Sequence, residues 1–415
     1  MRGSSGTLWA LAGLGACSGQ ALGVFAVTLL EIGLPSRPLV LAPEDPHAGI
    51  TVGAARFELA TFGPPDQRAN QAAPRPGRPN RSSRDLPARL RRNEDMRRIL
   101  CLAGLLVLVP GASAAAQSGR PVAIVAAETS NQVIAVSLGP HGGHVLRRVH
   151  VVDPLMVASP LHGPAVVLSP ATGTVALLAW HSLRPLKVFH GFRDPQVARI
   201  APGDRFAYVA DGGAGTLTVI DLARLRIVQR LYVGAGAHHM SFSPDGTRLW
   251  IALSEVATTI VRLDTSALSR PRILARLRPR LPGHSIGFAP DGRTVWVSSA
   301  RARYVTVYNA ATGKVVKVVR AGRAPQEVAF SGARALLTSG YGSSLEAVLW
   351  RTYRRLGTVR MPYGSFNLAT FGGQVVTSSL LTGQVVELRG GTLHRFWTTK
   401  VAPATRYVAI SLWPG

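Results

Sequence analysis

SFSPDGTRLWI (residues 241–251) returns forty-six residues later as GFAPDGRTVWV (residues 287–297). Both copies read as a short run, a Pro-Asp-Gly turn and a second run that carries a Trp before its last residue. Proline fixes φ and Asp-Gly accepts the chain reversal, so each copy is a strand, a turn and a strand. Taking the turn glycine as marker, the pattern extends to Gly163, Gly203, Gly246, Gly292, Gly332 and Gly372. The intervals of 40, 43, 46, 40 and 40 residues lie in the range where repeats signal solenoids, propellers or arrays.

Each marker is flanked by runs rich in Val, Ile, Thr, Tyr and Trp, such as RFAYVA, TRLWIA and RTVWVS. Nothing in the region sustains a helical period. A unit of about forty residues holding four such runs is one propeller blade. Naming the strand before the turn glycine a, and the next three b, c and d, strand a is expected near 154–161, 195–202, 238–244, 284–290, 326–331, 364–371 and 404–412. The b–c–d sets also number seven but are offset. The first set (121–151) lacks a strand a, and the last strand a (TRYVAISLWPG) lacks a b. The two fragments complete one blade. The expected fold is therefore an all-β, seven-bladed propeller, its last blade closed by strand a from the C-terminus with strands b–d from the N-terminal side. Closure leaves no unpaired strand end for another chain to extend.

A family resemblance rests on residues 206–246. FAYVADGGAGTLTVIDLARLRIVQRLYVGAGAHHMSFSPDG resembles the YVTN-repeat seven-bladed β-propellers. The name-giving tetrad falls on Tyr208-Val209-Ala210-Asp211, departing at its last two positions. The second motif falls on Thr218-Val219-Ile220-Asp221, the Val-Gly pair on Val233-Gly234 and the turn on Ser243 to Gly246. The blade from Gly292 is similar through VTVYNAATGKVV, and the remaining blades match in period. The resemblance covers about residues 118–415. It implies the fold and an exported setting, and it carries no single activity.

The N-terminal region reads differently. Residues 1–95 open with a Gly/Ala-rich apolar stretch and pass into a Pro-, Arg- and Asn-rich segment without apolar periodicity. The stretch from Leu8 to Leu30 has the length of a membrane span, but its glycines and missing basic flank argue against one. MRRILCLAGLLVLVPGASAAAQ then begins at Met96. Its two arginines, short apolar run and Ala-x-Ala sites form a secretory signal peptide over 96–116. The expected organisation is a leader (1–95) that is upstream sequence translated in error, a signal peptide, and a propeller over 117–415 that is periplasmic or extracellular, monomeric and without a membrane anchor. Both cysteines, Cys17 and Cys101, precede residue 117, so the propeller has no disulfide and no thiolate metal site.

The net charge is +26, and residues 1–116 hold 13 arginines and 8 acids, which leaves +21 for 117–415. Such a surplus favours an anionic partner, a protein or a cell-envelope polymer. No stacking-aromatic stripe accompanies the charge, so a specific nucleic-acid role is not expected. Only four of the 47 basic residues are Lys. The sequence contains no G-x-S-x-G, P-loop or H-E-x-x-H.

Aligned on their turns, the a strands give two sets of alternating residues. The set Met156/Ala158, Val197/Arg199, His239/Ser241, Ser285/Gly287, Glu327/Ala329, Ser365/Asn367 and Tyr407/Ala409 is small or polar and is expected to face the channel. Its apolar counterpart, including Met240/Phe242, Ile286/Phe288 and Val328/Phe330, is expected between blades. At the strand starts lie Gln196, His238, His284, Gln326 and Arg406. Gln196, Arg199, His238, His239, His284, Gln326, Glu327, Arg406 and Tyr407 are thus the candidate ligand-binding residues of the channel mouth. His238, His239, His284 and Glu327 could hold one divalent metal that activates water, as a lactonase-like hydrolase requires. The histidines could equally tie neighbouring loops, and Arg199, Arg406 and Glu327 could form a channel salt-bridge network. HGGH (residues 141–144) reads as a Gly-rich loop, and Asp221 and Asp264 as turn residues.

Overall fold

The computed structural model describes residues 119–254 and 258–414. The segments expected to be a leader and a signal peptide, and both cysteines, lie outside the described residues. Among the described residues no helix is long and apolar enough to cross a membrane.

Seven four-stranded antiparallel sheets form seven blades. Strand a is Met156–Ala158, Pro195–Ile200, Ala237–Phe242, Ile286–Phe288, Val328–Ser331, Asn367–Phe371 and Tyr407–Trp413 in blades 1 to 7. Blade 7 is the composite one. Tyr407–Trp413 pairs antiparallel with Arg120–Ala127, in a register running from Arg120 opposite Trp413 to Ala126 opposite Tyr407. Further bonds fasten the seam to blade 1. Leu412 N–H donates to Leu161 O (2.8 Å), and Trp180 Nε1–H donates to Leu412 O (2.9 Å).

Burial grades outward across each blade. Strand b of blade 2 (Phe206–Asp211) is buried at every position. The outermost strands are largely exposed and mix apolar with basic residues, as in Arg272–Leu277 and Val315–Arg320. Lys and Arg on an open edge deter another chain from adding a strand there.

The repeated sentence now has a physical reason. In the first copy, Asp245 Oδ1 accepts from Ser243 Oγ (2.5 Å) and from Thr247 N–H (3.0 Å), while Gly246 takes φ +71°. A left-handed φ at that position suits glycine. The flanking aromatics join successive blades. Tyr208 meets Phe242 edge-on (ring centroids 4.8 Å apart), Trp250 meets Phe288 (6.2 Å), and Trp296 meets Phe330 (5.9 Å). In each pair an aromatic of strand b packs on the phenylalanine of the next blade's strand a. T-shaped contacts of this kind stabilise by about 1 kcal/mol beyond the apolar area they bury.

The two alternating sets divide only in part as expected. Met156, Arg199, Ser241, Glu327, Ala329 and Tyr407 of the set assigned to the channel line its cavity and Val197 is buried outside that lining, while Phe288 and Phe330 of the other set line the cavity as well. The reason is that the blades stand radially. The innermost strand presents its edge to the axis, so side chains of both faces can lean inward.

Candidate functional site: the channel mouth

The starts of the a strands bring three histidines together. The rings of His238 and His239 lie 4.3 Å apart, those of His239 and His284 4.4 Å, and those of His238 and His284 6.2 Å. Burial, then His284, Arg406 and Arg199, push the His238 imidazole down to about 3. Burial, His238, His284 and Arg199 hold His239 well below its ordinary value. Both rings are therefore neutral at pH 7. The Nδ1 atoms of His238 and His239 are buried and have no hydrogen-bond partner. Buried polar atoms are almost always paired, and these two neighbours are exceptions, as is Ser285 Oγ next to His284 in the chain.

Glu327 stands apart from this cluster in its bonding. Its Oε1 pairs with Arg199 Nη2 (3.2 Å), which comes from blade 2, so the pair bridges the channel between non-adjacent blades. Its Oε2 accepts from Leu368 N–H of blade 6 (2.9 Å). Burial raises the Glu327 carboxyl, while Arg199 and the Leu368 N–H act to lower it.

The remaining residues tie loops together. Gln326 accepts from Gly340 N–H (2.9 Å) and donates to Ala300 O (3.4 Å), linking blades 4 and 5. Gln196 donates to Asp194 Oδ1 (2.5 Å). Arg406 pairs with Glu128 (3.4 Å) across the composite blade, and Asn367 Nδ2–H donates to Arg406 O. Tyr407 lines the channel cavity.

The four-residue metal set is not assembled in this arrangement. Both Glu327 oxygens are engaged, and among the described residues no group of three or more His, Cys, Asp or Glu converges to hold a metal ion. The reason is electrostatic: a buried carboxylate is better satisfied beside a guanidinium and a backbone N–H than beside neutral imidazoles. Arg199 and Arg406, which depress the histidines, would also oppose a dication.

The weaker candidates serve local structure. In the HGGH loop His141 and His144 are exposed, and a Cβ at Gly142 would meet Ser137 O at 2.6 Å and Trp397 Nε1 at 2.8 Å. Asp221 Oδ1 accepts from the N–H groups of Ala223 and Arg224, and Asp264 Oδ1 from that of Ser266. These are turn-closing bonds.

Sequence reasoning missed the far end of the channel, where Phe288, Phe330 and Phe371 gather. The signal was present in the recurrence of Phe at the aligned positions 242, 288 and 330.

Known proteins point the same way for the architecture. Residues 190–361 match the family model described as lactonase, 7-bladed beta-propeller. That span runs from the approach to blade 2 through the end of blade 5, and the remaining blades complete the ring of seven. The chain folds as a seven-bladed β-propeller. No curated protein matches it. Among solved structures it is similar to a functionally unknown protein from Desulfotomaculum acetoxidans DSM 771 (TM-score 0.61, 14% identity, 71% of this chain and 99% of that one). It is also similar to a crystal structure of a putative 6-phosphogluconolactonase from Bacteroides fragilis (TM-score 0.58, 12% identity, 71% and 98%). A third likeness is to the hydrazine synthase of Kuenenia stuttgartiensis (TM-score 0.51, 14% identity, 62% and 89%). At these identities the propeller shares their fold.

Proposed function

We propose that this propeller is an exported, non-catalytic protein that binds an anionic ligand, a protein or a cell-envelope polymer, at the histidine end of its channel. The observation that carries the reading is the pair of unpartnered Nδ1 atoms beside two arginines. Neutral imidazoles can donate or accept toward a ligand, and Arg199 and Arg406 supply the field that draws an anion in. The state of the histidines argues against acid–base work. A base near pH 3 is far too weak to take a proton efficiently at neutral pH.

The test is capture from envelope extract on the immobilised protein, prepared without a His-tag. Retention at low salt, reduced by moderate salt and by His239→Gln, is the expected result. Recovery of no ligand at either salt would end the reading. Export is tested by cell fractionation and by the N-terminus of the native protein, expected near Ala114 to Gln117. A native peptide from residues 1–95 would sink the start at Met96. Gel filtration tests the monomer.

A second reading, hydrolysis of a lactone, has one observation in its favour. The lactonase-model match at 190–361 contains His238, His239, His284 and Glu327. Lactone turnover and metal content, measured in the wild type, His239→Ala and Glu327→Ala, decide it. If neither quantity moves, the hydrolase reading is gone.

A further inference from the structure

Beyond the Arg199–Glu327 pair the channel opens into a cavity of about 420 Å³. Its lining includes Arg199, Glu327 and Tyr407 but none of the three histidines, so the ion pair is its floor on the histidine side. The walls are mostly apolar, with Leu161, Ile200, Phe288, Phe330, Phe371 and Ile410, and the hydroxyls of Ser159, Ser241 and Thr370 in the lining donate to backbone carbonyls. From Glu327 to Phe330 strand a advances about 10 Å. The size falls in the ordinary range for a small-molecule site, and apolar walls around a few convergent polar groups are the usual build of one.

The floor has a sign. Arg199 and Glu327 are the charged residues in the lining, and Glu327 has both oxygens engaged, by Arg199 and by Leu368 N–H. Arg199 is the less covered partner, with 27% of its side chain exposed against 11% for Glu327. Its Nη1–H donates to Ala198 O and its Nη2–H to Glu327, which leaves other guanidinium N–H groups for a ligand. Arg406, close enough to act on His238, adds positive potential.

We propose that this cavity is a separate binding site for a small amphiphile, an aliphatic or aromatic tail among the phenylalanines with a carboxylate head at Arg199. The site shares Arg199 with the histidine end, but none of the three histidines lines it. The tail gains by leaving water, and the head completes the donors of Arg199. A cationic head would meet Arg199 unfavourably, and a neutral one would forgo the charge-assisted bond.

The test is calorimetric titration of the full protein with decanoate, decanol and decyltrimethylammonium at one ionic strength. Decanoate is expected to bind saturably at one site, decanol more weakly and the cation weakest. Ala329→Leu, which fills the cavity from strand a of blade 5, should weaken decanoate by about tenfold or more. The double variant Arg199→Met with Glu327→Leu should keep decanol binding and lose the preference for decanoate. Should that variant fail to fold, Phe330→Trp reports from the wall, its emission shifting to the blue with decanoate and not with the cation. Absence of saturable binding, equal binding of anion and cation, or an affinity that Ala329→Leu leaves unchanged would overturn the proposal.

Discussion

At one end of the channel three histidines lie together within the field of Arg199 and Arg406, and Arg199 pairs with Glu327. At the other, four residues further along the same strands, the walls are phenylalanine and aliphatic. The first end is held by charge and hydrogen bonds in a setting where almost every group is cationic or kept neutral. The second is held by the aromatic pairs that join each blade to the next. What the contrast teaches is that one ring of strands can separate recognition chemistry from the packing that closes it. The Arg199–Glu327 pair is the partition, and it is the first thing to break.

Glu327→Ala should have the largest effect. It removes the carboxylate opposite Arg199 and leaves a half-buried guanidinium and the Leu368 N–H without their partner. Breaking a buried pair in this way costs about 4 kcal/mol. Replacing both members, as in Arg199→Met with Glu327→Leu, should recover most of it, because apolar groups of similar volume need no partner. Urea unfolding of the two variants makes the comparison. A single variant as stable as the wild type would show that the pair partitions nothing.

At the apolar end, Phe330→Ala removes the ring that Trp296 packs against. Phe330 is half-buried, so the loss should be about 2 kcal/mol, below that of a fully buried ring. The pH dependence of stability should be unchanged, since no titrating group is touched. A change in the acid limb would mean that the two ends are coupled.

Much of this was legible in the sequence, and what was not had a common cause. The turn glycines and the offset between the first b–c–d set and the last strand a specify seven blades and their closure, because those features are local and periodic. Placing His238, His239 and His284 together followed from the same alignment. The Arg199–Glu327 pair belongs to the salt-bridge network expected in the channel, and it forms across the ring between residues 128 positions apart, whereas Arg406 pairs with Glu128 instead. The facing of the a strands was legible in part: most of the set assigned to the channel lines it, but alternation assigns a residue to one face and here the channel meets an edge, so Phe288 and Phe330, assigned wholly to packing, line it too.

Acid should sharpen the difference between the ends. An unfolded histidine takes its proton near 6.5, whereas folded His238 does so near 3 and folded His239 is also depressed. As the pH falls below 6.5 the unfolded chain therefore binds protons that the native state refuses. Stability is full above that value and declines toward pH 3, by up to about 1.4 kcal/mol per pH unit for each such histidine. Glu327 acts in the opposite sense, since its raised carboxyl is harder to ionise in the fold than in the unfolded chain. Asp221, Asp245 and Asp264, all lowered, lose their contribution only below about 3.8. Between pH 6.5 and 4.5 the histidines dominate, and His238→Gln with His239→Gln should flatten that limb of the unfolding profile. An unaltered slope would mean that the imidazoles take up protons in the fold as readily as in the unfolded chain.

The smallest effect is expected from the second ion pair, Arg406–Glu128. It lies 3.4 Å apart with 36% and 25% of the side chains exposed, at the join of the composite blade. An exposed pair of this kind contributes about 0.5 kcal/mol, and less as salt rises. Arg406→Gln should accordingly leave the melting temperature nearly unchanged, because the closure of blade 7 rests on the backbone register between Tyr407–Trp413 and Arg120–Ala127. Its electrostatic reach is another matter. Arg406 is among the charges that hold His238 down, so its removal should move the His238 titration upward, as read by NMR of the imidazole protons. The combination of an unchanged melt and a moved titration would separate a group that tunes the site from one that holds the ring. A loss of stability as large as that from Glu327→Ala would instead make the join, rather than the partition, the electrostatic keystone of the channel.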